Sequence, residues 1–243
     1  MLRRCVCAEW MKLRHSYIWM ILMILPVVSV LIGSANFYMN QGVLTKKWYS
    51  LWSQVGLFYG EFFFPILIAI CCAYMWRMEH HNKNWNMIMT APVSKTGIFL
   101  AKLIVVGVLM IFVQILIFIL YFLGGKLVGI TDELPKELYG WLFRGWIAAL
   151  TISALQLALS MRIRSFAAPI GIGLCAAFLG LGMYVAHLGF LFPHSLLTIG
   201  MGVLSQTGLS AGERLIFMLM NLSYIAAISI VAIHRMRKSD VEA

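Results

Sequence analysis

Acidic side chains are scarce in this 243-residue chain: nine Asp and Glu stand against nineteen Lys and Arg, and charged residues of both signs make up only 12%. Roughly a quarter of the residues in a soluble domain carry charge, so this chain has too little to cover a soluble globule. Cysteine supplies no framework either. Cys5, Cys7, Cys71, Cys72 and Cys175 show no CxxC or zinc-like spacing, and they read as packing residues. Also missing are G-x-x-x-x-G-K-[ST] and HExxH, which excludes a P-loop and that zinc-protease signature within this sequence. Energy for any movement against a gradient then has to come from an ion gradient or from another polypeptide, and one intramembrane acid with no visible internal repeat favours the second.

What fills the chain instead is apolar: 62% of residues are hydrophobic and the mean hydropathy is +0.89. Apolar runs of about 20 residues match the thickness of a bilayer core, and non-helical backbone cannot face lipid. The expected fold class is therefore an all-α integral membrane protein, one unit over 1–243, with six transmembrane helices. They are placed at about 17–38, 53–77, 98–123, 140–160, 166–190 and 214–233. The first run exceeds a signal-peptide core of about 7–15 residues and is read as a retained span. With both termini inside, Lys46, Lys47, Lys126, Lys136, Arg144 and Arg214 fall outside and the other thirteen basic residues inside. The positive-inside rule favours that choice, a multi-pass protein of the cytoplasmic membrane, N-in and C-in. The net charge of +10 follows this distribution and is not read as a nucleic-acid footprint.

Between spans five and six, PHSLLTIGMGVLSQTGLSAG (193–212) is rich in Gly, Ser and Thr and begins at a proline. It suits a pair of short re-entrant helices on the outer side better than a seventh span. Span five carries small residues four apart, at Ala167/Gly171, Gly173/Ala177, Ala176/Gly180 and Gly182/Ala186. Such spacing lets helices approach closely in lipid, either within the chain or at a dimer seam.

Ahead of the first span, Leu2, Val6, Trp10, Leu13 and Tyr17 fall on one helical stripe, with Arg4, Lys12 and His15 opposite. A basic amphipathic helix with Trp10, Lys12 and Arg14 belongs in the membrane interface. Residues 2–15 are thus expected to form an interfacial elbow; the alternative is a first span that runs on into water.

The long polar interruption EHHNKNWNMIMTAPVSKTGIFLAK (79–102) separates spans two and three. Pro92 disfavours the α region at Ala91, and Ser94 is placed to cap the third span. From Asn82 to Thr90 there is room for two helical turns, with Trp85, Ile88 and Met89 on one side and Asn86 among them. Two turns do not support themselves in water, so a headgroup layer or a partner's groove has to hold them. Trp and Met suit the core of a protein contact. His80 and His81 point about 100° apart on a helix, and no Cys or carboxylate pattern completes a metal site.

Glu61 is the single acid well inside a span. An ionisable group costs about 2.5–3.5 kcal/mol at a helix centre on insertion scales and usually faces the bundle interior or a cavity. Arg144 enters span four from the same side, so Glu61 is either half of an ion pair or a substrate-facing group. Asn36, Gln114 and Gln156 are expected to satisfy one another or the backbone. Gly208–Gly212 matches G-x-S-x-G, but a nucleophile elbow needs a strand before it. Ser210 and Glu213 read instead as a capping box. A non-transporting scaffold or sensor and an intramembrane serine hydrolase remain as rivals; no catalytic, cofactor-binding or metal residue is assigned.

CAEWMKLRHS near the start, WNMIMTAPVSKTGIFLAK at 85–102, the length and the six-span plan together resemble membrane subunits of type-2 ABC exporters. The likeness is greatest to permeases of lantibiotic self-immunity and bacitracin resistance. It implies a chain that is not itself an enzyme, with ATP and Mg bound by separate P-loop ATPase subunits and no cofactor here. It also implies a coupling helix at about Asn82 to Thr90, contacting the ATPase through Trp85, Asn86, Ile88 and Met89. An elbow at residues 2–15, outer re-entrant helices at about 193–212 and a second membrane subunit, identical or different, follow as well. The cargo implied is a peptide antibiotic taken from the lipid bilayer.

Overall fold

The computed structural model describes residues 1–80 and 93–238. Helix α1 covers Leu2–Leu13 and α2 covers Ile18–Met39. The second span is one 34-residue run, Lys47–His80, made of α3 (Lys47–Gly56), a π-helical stretch (Leu57–Phe63) and α4 (Phe64–His80). Then come α5 (Lys95–Leu127), α6 (Glu137–Ser160) and α7 (Ala167–Val185). A 3₁₀ turn (Gly189–Leu191), α8 (Pro193–Met201) and α9 (Ala211–Lys238) complete the described chain. Six of these helical runs are long and apolar enough to cross a membrane, as the composition requires.

Local chemistry sets the boundaries. Ser94 caps α5, its Oγ accepting from Gly97 N–H at 3.1 Å. Between α1 and α2 the chain turns at residues 14–17, where Ile18 N–H donates to Ser16 Oγ (3.0 Å) and Trp19 Nε1 to the Leu13 carbonyl (2.9 Å). The first span therefore does not simply continue to the N-terminus. Gly202 ends α8 at φ +58°, in the left-handed region where glycine is at ease.

Span two is longer than the 53–77 expected from its apolar core, and it is not uniformly α-helical. Pro65 has no N–H to offer the Glu61 carbonyl four residues earlier, and its ring would crowd that carbonyl in a regular helix. The chain widens there instead, with Phe64 N–H donating to Tyr59, five residues back. Single π turns of this kind recur at functional sites. At about 1.5 Å per residue, spans two and three are each about 50 Å long, well beyond a core of about 30 Å.

Span two is also the most enclosed, with 67% of its apolar core buried, against 22% for spans five and six. Span one approaches it closely at Gly33, where a Cβ would sit 2.6 Å from the Val55 Cα. Span five uses its small residues partly inward: Gly173 lies against Gln156 and Ala69, and Gly180 against His194 and Ser195, whereas Gly171 and Gly182 face open space. The stretch 193–212 holds one α-helix rather than the expected pair. The second short helix of the region is the 3₁₀ turn before Pro193, because the chain turns left-handed at Gly202 and runs without helix to Ser210.

Candidate functional site

Four charged side chains meet where α1 crosses the ends of spans two and three. Lys102 Nζ lies 2.8 Å from Glu9 Oε2, 2.8 Å from Glu79 Oε1 and 3.1 Å from the Met75 carbonyl. Lys12 Nζ lies 2.7 Å from Glu9 Oε1 and 2.5 Å from Glu79 Oε1. Two cations and two anions balance. Lys102 is 0% exposed and stands over the Trp76 ring at 4.7 Å. Burial pulls the Lys12 ammonium down, but the charge of Glu9 and the hydrogen bonds to Glu79 and Glu9 outweigh it, leaving its pKa above the ordinary lysine value. Removing one partner from such a buried set costs about 3–5 kcal/mol, because the remaining charge is left uncompensated.

The same end of span two reaches other helices. His80 Nε2 is 3.1 Å from the Ser160 carbonyl at the end of α6, and the Arg77 guanidinium sits over Phe166 at 5.2 Å, just before α7. Arg237, near the end of α9, donates to Thr96 Oγ1 at 3.2 Å. The last turns of span two are thereby tied to α1 and to spans three, four and five, immediately before the connector.

At the far end of the bundle α8 is a buried plug. Trp52 Nε1 donates to the Met201 carbonyl at 2.9 Å, and the Trp52 and Trp141 rings stack at 5.4 Å. The Glu61 carboxylate, on the π turn and 4% exposed, lies beside Thr198 of α8; its Oε1 has no hydrogen-bond partner among the described residues. Arg144 does not pair with it. Its Nε donates to the Gly200 carbonyl at 3.1 Å, and among the described residues it forms no ion pair. The ion-pair alternative for Glu61 thus fails on geometry: both side chains engage α8, Glu61 at Thr198 and Arg144 at Gly200. His194 of α8 is buried, and burial lowers its pKa to about 4.

Trp85, Asn86, Ile88 and Met89, like His81 and Pro92, lie outside the described residues. Of the elbow residues, Trp10 is 40% exposed and meets Trp19 edge-on at 5.9 Å, and Arg14 is exposed. Lys12 departs from expectation: it was set opposite the apolar stripe, facing away, yet it turns into the protein because Glu9 and Glu79 are there to receive it. Asn36, Gln114 and Gln156 do not join one another. Asn36 donates to Gln54 at 2.6 Å and Gln114 accepts from the Tyr59 hydroxyl at 3.2 Å, while Gln156 packs beneath Gly173. Ser210 and Glu213 form the capping box, with Ser210 N–H to Glu213 Oε2 at 2.8 Å and Glu213 N–H to Ser210 Oγ at 3.3 Å. Sequence reasoning missed Glu9, Glu79 and Lys102. The available signal was that Glu9 is the only acid before the first span and that Glu79 and Lys102 bracket the connector.

The charges of Glu9, Lys12, Glu79 and Lys102 neutralise one another and join α1 to spans two and three. No curated protein sequence matches the chain significantly. Residues 5–180 match the model of the ABC-2 family transporter protein, a stretch that takes in most of α1, the ionic cluster, the connector and most of span five. Matched over that length, the chain belongs to the ABC-2 transporter family, as a membrane component that works with a separate ATPase subunit.

Proposed function

We propose that this chain is a permease subunit that expels a membrane-active peptide antibiotic, of lantibiotic or bacitracin-like type, for immunity or resistance. A P-loop ATPase holding ATP and Mg grips residues 82–90 from the cytoplasm through Trp85, Asn86, Ile88 and Met89, with both termini of the permease on that side. Two permease subunits, identical or different, flank the path.

The observation that carries this reading is the ionic cluster of Glu9, Lys12, Glu79 and Lys102 at the root of the connector. Spans two and three meet there through short, charge-assisted contacts, which are stronger than neutral ones. A push on the connector then moves the hairpin and α1 as one body. Packed helices switch between discrete arrangements rather than deforming smoothly, so that push reaches the buried far end of span two. The thirteen basic residues on the terminal side support the orientation. Little polypeptide lies outside the helices to enclose a peptide, which favours lateral extraction from the bilayer over passage through a wide pore.

The test is Trp85→Ala with Met89→Ala in the assembled transporter. ATP hydrolysis should become uncoupled from protection against the peptide, with the permease still folded and membrane-inserted. Unchanged coupling would rule out the docking role.

A further inference from the structure

The geometry points to a binding pocket at the far end for the anionic headgroup of a membrane amphiphile, with Arg144 as its central contact. A cavity of about 280 Å³ opens between α6, the end of α7, the C-terminus of α8 and the start of α9. Its polar lining includes Arg144, Tyr184, Thr198, Ser205, Thr207 and Glu213. That volume lies just under the range of about 300–1,000 Å³ typical of whole drug-sized ligands, and it suits a headgroup rather than an entire lipid.

Charge decides what the cavity takes. Arg144 is half-buried, its Nε is spent on the Gly200 carbonyl, and no carboxylate among the described residues reaches it. Of the acids at this end, Glu61 is buried beside Thr198 and forms no ion pair with Arg144, and three others have partners elsewhere. Asp132 pairs with Lys47 at 2.7 Å, Glu137 accepts from the Tyr49 hydroxyl at 2.8 Å, and Glu213, though it lines the cavity, accepts from the Ser210 N–H. The charge of another cation, Arg214, acts on Arg144. A guanidinium fork with free N–H groups and a like charge beside it favours a phosphate or carboxylate, which it can meet with two parallel hydrogen bonds. Around the mouth the surface turns apolar. Val185 lines it at 66% exposure, and Leu215, two residues past Glu213, is 62% exposed on the face of α9. A polar floor with an apolar rim fits a molecule whose headgroup is anionic and whose tail stays in lipid.

This rests on the reading of the chain as a membrane permease only in placing bilayer lipid at the mouth. Its test does not involve the ATPase, so failure of either idea leaves the other distinguishable. The full chain, purified in neutral detergent, is titrated with dioctanoyl phosphatidylglycerol, dioctanoyl phosphatidylcholine and inorganic phosphate, with adducts counted by native mass spectrometry. One phosphatidylglycerol per chain should be retained, and the other two probes should bind far more weakly. Arg144→Gln should weaken retention roughly ten- to hundredfold, the worth of a charged hydrogen bond, and Arg144→Lys should weaken it less. Thr207→Trp, at an exposed lining position, should block the mouth without disturbing the helices and serves if Arg144→Gln misfolds. Wild-type retention in both variants would overturn the site. Equal retention of the phosphatidylcholine would overturn its preference for anions, and equal binding of inorganic phosphate would overturn the amphiphile.

Discussion

Lys102 Nζ sits 2.8 Å from Glu79 Oε1, joining the last turn of span two to the second turn of span three across the connector between them. Neither residue faces water: Lys102 is fully buried and Glu79 is 3% exposed. Separating the two spans here would leave a buried charge without its partner, so the pair resists that separation.

Lys102→Met leaves Glu9 and Glu79 sharing Lys12 alone. A loss of about 3–5 kcal/mol is expected, read as a lower temperature of aggregation in detergent. Adding Glu79→Gln removes the surplus anion and should restore part of that loss, giving a coupling energy of about 0.5–3 kcal/mol in a double-mutant cycle. Additive losses would show that the two groups do not act together.

His194 gives an acid-side signature. Its folded pKa of about 4 lies below the ordinary value of 6.5 because burial disfavours the imidazolium. The unfolded chain therefore takes up a proton that the folded chain refuses. Stability is full above pH 6.5 and falls as pH drops towards about 4, by up to about 3 kcal/mol. Melting curves between pH 7 and 4 should lose this slope in His194→Gln.

Gly202→Ala places a Cβ 2.6 Å from Trp141 Nε1 at a residue with φ +58°. Strain of about 1–3 kcal/mol is expected from the backbone alone, and the stacked Trp52–Trp141 pair has to shift. Lower thermal stability together with changed tryptophan emission would report displacement of α8; wild-type values for both would show that this turn tolerates a side chain.

Ser210→Ala removes one half of the capping box seen with Glu213. A cost of about 1 kcal/mol is expected, with transport retained. Abolished function in a folded Ser210→Ala protein would instead revive the hydrolase reading of G-x-S-x-G.

Much of the scaffold was legible because it depends on short-range rules. Ser94 as a cap, Ser210 with Glu213 as a capping box, and a break between residue 13 and the first span all follow from local chemistry. The π turn was legible in principle, in the spacing of Glu61 and Pro65, but its reading needs the helix to be continuous through Pro65. The inward turn of Lys12 was not legible, since an amphipathic stripe shows which side is oily and not what a third face will meet. Nor was the failure of Glu61 to reach Arg144, because each engages a different residue of α8 and only packing brings α8 to them.

The sequence by itself determined that this chain belongs in a bilayer, as six helices with a polar connector after the second. Hydropathy and backbone hydrogen bonding leave no other way to satisfy so many apolar residues. Only the tertiary structure decided that Glu9, Lys12, Glu79 and Lys102 form one buried ionic cluster and that Arg144 opens into a cavity instead of pairing with Glu61. Those outcomes depend on which helices are neighbours and how each is rotated about its axis, and residues 93 positions apart reveal neither until the helices pack.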